Sequence, residues 1–332
     1  MTRKPRIALI ASGGTIETVG KSRTDLAWYV DGGQFLKQGE MLARVPEVTA
    51  FADISTVQFP KMSSHALTID NWFELAAAVA AARDRDDIDG VILTHGTNTL
   101  EETAYFLQLV LPLGKPVVLT GSMRPASALS PDGDLNLLRA VQVAAAPQSR
   151  GQGVLVVMED AIHSARDVTK AHTARTSAFL STNIGPIGVV EADGTVSFHR
   201  AATMAAGYVP FLLPPSSDLP RVDVVFSYVG VDGIFIDASV NAGARGIVCA
   251  GTGSGLPSPL EEEALNRAKS ANVVICHSTR VGTGKVLRSP KLKENGIIAA
   301  GNLQPWKARI LLALGLTQTS DPIELQQMFE QY

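Results

Sequence analysis

The sequence predicts an α/β protein of two domains, a larger parallel-sheet domain at the N-terminus and a smaller α/β domain after it. Three observations carry this prediction. Short, continuously apolar runs alternate with helix-like stretches from residue 7 to residue 158, the pattern of strands buried on both faces by crossover helices. Residues 210–220 contain four prolines and two serines and have the composition of a linker. From residue 222 the alternation restarts. A chain of 332 residues is also too long for one ordinary core. The expected units are therefore 1–209, a linker at 210–220, and 221–332. The strand-helix alternation places the first among flavodoxin-like or Rossmann-like architectures.

The elements follow in order. Residues 7–11 read as a buried strand, and Ser12-Gly13-Gly14-Thr15 as the turn at its end. Two glycines let that backbone come close to a ligand, with Thr15 exposed beside them. Residues 17–31 are polar, glycine-bearing and without period, the character of a lid carrying Trp28 and Tyr29. A helix over 34–44 and a strand over 54–59 are expected next. The loop Lys61-Met62-Ser63-Ser64-His65 enters an alanine-rich helix over 68–83, capped by Thr68 or Asp70. The apolar run 91–93 stops at Thr94-His95-Gly96-Thr97-Asn98-Thr99, and a helix to residue 111 begins with Glu101 and Glu102 in its first turn. A strand-turn-helix of this kind lies at the carboxyl edge of an open sheet, where free N–H groups meet anions. A strand at 116–119, a helix at 134–145 and a strand at 153–158 complete the alternation.

Past Met158 the residues to 170 are densely polar, and Glu191-Ala192-Asp193-Gly194-Thr195 reads as a hairpin turn. The second domain is expected to hold strands at 222–226, 246–250 and 272–276, with helices at 259–271 and 304–314.

Composition narrows the function. Hydrophobic residues make up 45% and charged residues 18%, so the chain is globular rather than disordered. Twenty-nine Lys and Arg against 32 Asp and Glu leave a net charge of -3, which argues against a broad nucleic-acid surface. Cys249 and Cys276 each sit in an apolar strand-like run and are expected to be buried free thiols. The apolar run ending at Ala11 is too short for a signal-peptide core or a membrane span, so a cytoplasmic enzyme without membrane contact is the simplest expectation.

Familiar signatures fail. The Ser12-Gly13-Gly14-Thr15 turn does not continue into Gly-x-Gly-x-x-Gly, and Gly282-Thr283-Gly284-Lys285 lacks the spacing of a phosphate loop. The six histidines never fall at zinc spacing, and no Gly-x-Ser-x-Gly elbow is present. What remains is an excess of threonines at strand ends, Thr15, Thr94, Thr97 and Thr99, and a lysine, Lys170, in a polar loop. A threonine becomes a nucleophile when a neighbouring base takes its proton, and a lysine serves as that base when its pKa is lowered. Threonines also cap helices. That reading is expected for Thr99, and both readings stay open for Thr15 and Thr97.

At these residues the chain resembles the bacterial-type L-asparaginases and glutaminase-asparaginases. The resemblance is carried by Ile10-Ala11-Ser12-Gly13-Gly14-Thr15-Ile16 and by Thr94-His95-Gly96-Thr97-Asn98-Thr99-Leu100-Glu101-Glu102-Thr103. Further matches are Gly121-Ser122-Met123-Arg124-Pro125, Asp132-Gly133, Arg166-Asp167-Val168-Thr169-Lys170 and Thr317-Gln318-Thr319, in the family's order along nearly the whole chain. The resemblance implies a hydrolase that releases ammonia from a carboxamide through a threonine-bound acyl-enzyme, without cofactor or metal. Thr15 resembles the nucleophile and Tyr29 the tyrosine that assists it. Thr97 and Lys170 resemble the second threonine and its lysine. Ser64 matches the serine that holds the substrate's α-carboxylate, with Gly14, His65, Gly96 and Asn98 completing the binding surface. The backbone around Thr97 would supply oxyanion donors. The resemblance also implies a homotetramer, a dimer of dimers.

The chain departs from the family at the groups that meet the substrate's α-ammonium. Asn98 stands where the family has an aspartate, and His65 where it has a glutamine. Ser254 replaces an asparagine, and the region 287–291 is shorter and basic. Two substrate expectations follow: L-asparagine held by neutral acceptors, or a carboxamide acid without a free α-ammonium, succinamate-like or N-acylated. Asn98 would also leave Lys170 without a carboxylate neighbour, which favours the neutral amine. A non-catalytic small-molecule sensor on the same scaffold is the remaining alternative; retention of Thr15, Thr97 and Lys170 together argues for turnover.

Overall fold

The structure is a computed structural model that describes residues 3–202 and 208–332. Met1, Thr2 and residues 203–207, near the end of the expected first domain, lie outside the described residues. The chain divides into two compact units, Met1–Thr203 and Met204–Tyr332.

In the N-terminal unit, β1 (Arg6–Ala11) is followed by a two-residue ladder of β2 (Thr18–Val19) against β3 (Gln34–Phe35), a single turn of helix, α1 (Glu40–Ala43), and β4 (Asp53–Val57). Helices and strands then alternate: α2 (Ile69–Asp84), β5 (Gly90–Thr94), α3 (Leu100–Val110), β6 (Val117–Thr120), α4 (Gly133–Ala145) and β7 (Val154–Met158). Next come β8 (Ala161–Ser164), the small ladder of β9 (Thr169–Lys170) with β10 (Phe179–Leu180), and the hairpin of β11 (Gly188–Val190) and β12 (Val196–Phe198). The main sheet has the order β12-β11-β8-β7-β6-β5-β1-β4. It is parallel from β4 to β7 and antiparallel from β7 to β12. Val91, Ile92 and Leu93 are fully buried, as strands covered on both faces must be. Trp72 of α2 stacks on Phe106 of α3 with ring centroids 5.1 Å apart.

In the C-terminal unit, β13 (Val222–Phe226), α5 (Ile234–Asn241), β14 (Gly246–Gly251), α6 (Pro259–Ser270), β15 (Val274–Thr279), α7 (Pro290–Glu294) and β16 (Ile298–Ala299) precede α8 (Pro305–Gly315) and α9 (Pro322–Gln331). Its four strands are parallel in sequential order. Cys249 and Cys276 are buried free thiols on adjacent strands, and burial pushes the Cys249 thiol up to about 12.

Several elements differ from expectation. The helix expected over 34–44 shrinks to α1, because residues 34–35 pair with 18–19 and Gly39 takes a left-handed φ of 83°, which stops a helix. Thr68, rather than Asp70, caps α2, in a reciprocal capping box with Asn71. Helix α5 carries Ile234 and Phe235 on its exposed side, so no amphipathic period announces it.

Candidate active site

Strands β1 and β5 are neighbours in register, Ala11 beside Thr94, so the turns after them leave the sheet together at its carboxyl edge. The strand order also reverses here: β1 connects outward to β4, and β4 connects back across β1 to β5. α/β sheets hold ligands at such a reversal.

A cavity of about 130 Å³ opens at this point. Gly14, Thr15, Tyr29, Ser64, His65, Gly96, Thr97 and Asn98 line it, together with Thr18, Val30, Gly33, Phe35 and Ser63. Eight of the nine residues singled out by sequence therefore share one cavity. The ninth, Lys170, stands behind the wall on β9, and its Nζ donates to Thr97 Oγ1 over 2.9 Å. On the other side Thr15 Oγ1 and the Tyr29 hydroxyl are 3.1 Å apart and hydrogen-bonded.

Close backbone packing holds the three turns together. Gly14 has a φ of 88°, and a Cβ there would lie 2.5 Å from Gly96 Cα. A Cβ on Gly96 would in turn lie 2.6 Å from Ser64 Oγ. Side chains are excluded at both positions by contact with backbone or a buried hydroxyl. The buried Ser64 hydroxyl accepts the Asn98 N–H at 3.2 Å and keeps its own proton to donate to an anion. His65 and Asn98 are exposed.

Thr99 corrects an expectation. Its side chain makes no capping bond to α3; Thr99 Oγ1 instead donates to the Ser64 carbonyl over 2.9 Å, tying the helix start to the Ser64 loop. Glu101 corrects another. Lys170 does have a carboxylate neighbour, since buried Glu101 Oε1 accepts the Lys170 backbone N–H at 3.1 Å. Burial still lowers the Lys170 pKa, with the Glu101 charge opposing it. In sequence, Glu101 carried only the signal of an acid in a first helical turn.

Two buried networks brace the cavity from behind. Trp72 Nε1 donates to Thr103 Oγ1 over 2.9 Å. A Trp N–H only donates, so the Thr103 hydroxyl proton is free to go to His95 Nε2, 3.1 Å away. The His95 proton then resides on Nδ1, which donates to the Gly96 carbonyl at 2.8 Å. Burial pulls the His95 pKa down to about 4, so the ring is neutral at neutral pH. Across a trans peptide the carbonyl and the next N–H point opposite ways. Fixing the Gly96 carbonyl against His95 therefore turns the Thr97 N–H away from His95.

The second network centres on buried Glu17. Its carboxylate accepts the Gly13 N–H at 2.9 Å and pairs with Lys61 Nζ at 2.7 Å. Lys61 also donates to the Leu36 carbonyl over 2.7 Å, and the Leu36 N–H returns to the Glu17 carbonyl.

The arrangement offers two hydroxyls with proton partners, Thr15 with Tyr29 and Thr97 with Lys170, on one small cavity. Among the described residues no group of three or more His, Cys, Asp or Glu side chains is placed to hold a metal, and no helix is long and apolar enough to cross a membrane.

Comparison with known proteins adds the lineage. The asparaginase N-terminal family model matches residues 6–204, and the glutaminase/asparaginase C-terminal domain matches residues 221–329. The chain is 40% identical over 331 residues to L-asparaginase 2 of Bacillus subtilis, covering 99% of this chain and 87% of that protein. It is also 40% identical over 331 residues to the probable periplasmic L-asparaginase of Haemophilus influenzae, covering 99% of this chain and 93% of that one. Among solved structures, a probable cytoplasmic L-asparaginase from Campylobacter jejuni superposes with a TM-score of 0.93 at 36% identity, covering 99% of this chain and 100% of that chain. With both family models matched in order and relatives aligned from end to end, the chain is a hydrolase of the asparaginase family.

Proposed function

We propose that the enzyme hydrolyses the side-chain carboxamide of L-asparagine to L-aspartate and ammonia through an acyl-enzyme on Thr15. The observation that carries this reading is the pairing of Thr15 with Tyr29 and of Thr97 with Lys170 around one cavity. Thr15 Oγ attacks the carboxamide carbon, and its proton passes through the Tyr29 hydroxyl to the departing nitrogen, which leaves as ammonia. The Thr97 N–H, oriented by the His95 contact, receives the developing oxyanion. Water then adds to the acyl carbon, giving one proton through Thr97 to neutral Lys170; the bond to Thr15 Oγ breaks as Thr15 Oγ takes up that proton, and the acid leaves with Thr15 and neutral Lys170 regenerated. Ser64 donates to the substrate's α-carboxylate, flanked by Gly14 and Gly96. Thr15→Ala is expected to abolish ammonia release, and mass spectrometry of the quenched enzyme is expected to find the acyl group on Thr15. Binding of L-asparagine without turnover by the unaltered protein would overturn the proposal in favour of a sensor.

One observation favours a second substrate class. The Asn98 side chain is exposed at the cavity and makes no hydrogen bond among the described residues, so an uncharged amide and exposed His65 would face an α-ammonium there. A succinamate-like or N-acylated carboxamide acid would lose nothing there. A panel of amides decides: a higher kcat/KM for succinamate than for L-asparagine establishes the second class.

Assembly as a homotetramer, a dimer of dimers, is part of the same reading. It is supported by family membership and by Trp28 and Val30, 75% and 68% exposed beside the cavity, as apolar surface awaiting a partner is. Light scattering tests it. A cytoplasmic location is supported by the Campylobacter jejuni relative's description and is tested by fractionation against a periplasmic marker.

A further inference from the structure

Tyr29 stands on an exposed stretch of chain. Among residues 21–33, in the connection between β2 and β3, only Asp25 and Tyr29 are even half-buried. Burial of apolar surface therefore does little to place Tyr29. Hydrogen bonds have to fix the segment that brings its hydroxyl to 3.1 Å from Thr15 Oγ1.

Three rungs tie the start of this segment to residues 126–129. The Ala126 N–H donates to the Thr18 carbonyl at 2.8 Å, the Gly20 N–H to Ser127 Oγ at 2.8 Å, and the Leu129 N–H to the Arg23 carbonyl at 2.9 Å. The outer two join backbone to backbone, and any residue with an N–H would make them. The middle one depends on the half-buried Ser127 side chain. Its base is firm, because the Asp132 carboxylate accepts the N–H groups of Met123 and Arg124, each at 2.9 Å, in the turn just before it.

Gly20 passes the position on. A Cβ on Gly20 would lie 3.1 Å from Tyr29 Cβ and 3.1 Å from Asp25 Oδ2, so its bare backbone packs against both side chains. Asp25 Oδ1 accepts the Trp28 N–H at 2.9 Å, and the Tyr29 carbonyl accepts the Gly33 N–H at 2.7 Å, which holds the backbone on either side of Tyr29. A path of contacts thus runs from Ser127 Oγ through the Gly20 amide to the Tyr29 side chain and on to Thr15 Oγ1. Ser127 lies outside the lining of the cavity.

We propose that Ser127 is a positioning residue for the nucleophile: by holding the Gly20 amide it sets the Tyr29 hydroxyl against Thr15. The inference rests on the reading of Thr15 as nucleophile and Tyr29 as its proton partner. Ser64, which holds the substrate's carboxylate in that reading, lies on another turn. Loss of the Ser127 hydroxyl therefore slows formation of the acyl-enzyme and spares binding.

The test is a double-mutant cycle on the full-length enzyme, with the better of L-asparagine and succinamate as substrate. Two quantities are read: kcat/KM from ammonia release, which reports acyl-enzyme formation, and competitive inhibition by the product acid, which reports binding. Misplacing a reacting group by about 1 Å costs about a hundredfold, and loosening its partner is expected to cost less, so Ser127→Ala lowers kcat/KM by about tenfold. Inhibition by the product acid is expected to stay unchanged, and Ser127→Thr, which keeps the acceptor, to retain activity. Tyr29→Phe removes the hydroxyl being aimed, so adding Ser127→Ala to it is expected to cost nothing more. Equal losses from Ser127→Ala on the two backgrounds overturn the proposal, as does an unslowed Ser127→Ala enzyme beside a slowed Tyr29→Phe enzyme; in both cases the Thr15–Tyr29 reading stands. A Tyr29→Phe enzyme of unaltered kcat/KM overturns that reading and the proposal with it. If Ser127→Ala fails to fold, Gly20→Ala, whose Cβ crowds Tyr29, takes its place in the cycle with the same expected pattern.

Discussion

Replacing Thr103 by valine tests whether the buried chain from Trp72 to His95 orients the catalytic backbone. Valine keeps the shape of the fully buried Thr103 and removes its hydroxyl alone. Two groups then lose their partners, Trp72 Nε1–H and His95 Nε2. At about 1–3 kcal/mol for each orphaned buried group, the protein is expected to lose about 2–6 kcal/mol of stability. The catalytic effect has a separate origin. Without the Thr103 proton directed at Nε2, His95 is no longer held as the Nδ1–H tautomer that donates to the Gly96 carbonyl at 2.8 Å. The Thr97 N–H loses its fixed aim. Removing one oxyanion donor outright costs about 10²–10³ in kcat, so loosening one is expected to cost about tenfold to a hundredfold, with KM little changed. Steady-state ammonia release below the transition temperature and urea unfolding read the two effects independently. Thr103→Ser is expected to restore both. A Thr103→Val enzyme that is destabilised as calculated but keeps the kcat of the unaltered protein would refute the orienting role and leave the network purely structural.

Glu101→Gln removes the charge that raises the Lys170 pKa against burial; the rising limb of the pH–rate profile, attributed to neutral Lys170, is expected to move to lower pH, and an unmoved limb would take Lys170 out of the proton path. Asn98→Asp adds a carboxylate at the cavity and is expected to raise the Lys170 pKa and to increase kcat/KM for L-asparagine relative to succinamate, as an amide panel would show. His95 and His277 each have a folded pKa near 4 against 6.5 for an open ring. The unfolded chain takes up these protons first as pH falls. The stability their neutral burial confers is complete above about pH 6.5 and declines towards pH 4, by about 3 kcal/mol for each ring, and urea midpoints across that range measure it. Gly14→Ala places a Cβ 2.5 Å from Gly96 Cα at a φ of 88°, and activity is expected to fall by more than a hundredfold, at the scale of a misplaced reacting group.

Much of this architecture was legible because it is written locally. A run such as Val91 to Leu93 that stops at Thr94 announces both a doubly covered strand and the edge where its turn emerges, while its pairing with β1, Ala11 beside Thr94, came only from the structure. The cavity turns were legible for the same reason, with motif residues crowded at strand ends. What escaped depends on partners distant in sequence. Thr99 has the position of a cap, yet its hydroxyl finds the Ser64 carbonyl 35 residues away. Glu101 has the position of a dipole-complementing acid, yet it receives Lys170 from 69 residues away. Gly39 broke a plausible helix because the chain had to return and pair with β2.

The Glu17–Lys61 pair has a consequence for anyone who would re-engineer this enzyme. One buried carboxylate holds the Gly13 amide, and its lysine holds both the return of the lid at Leu36 and the base of the loop that carries Ser64. The segment ending at Leu36 and the Ser64 loop thus share a single fastening with the turn that carries Thr15. They are not interchangeable cassettes: a 17–36 segment grafted from a relative needs an acid at 17 and a lysine at 61 in the same geometry, and a Ser64 loop that lacks the lysine would leave a buried negative charge beside the Thr15 turn. Specificity in this scaffold is therefore inherited as a set, and a variant library that diversifies these segments one at a time samples mostly broken locks.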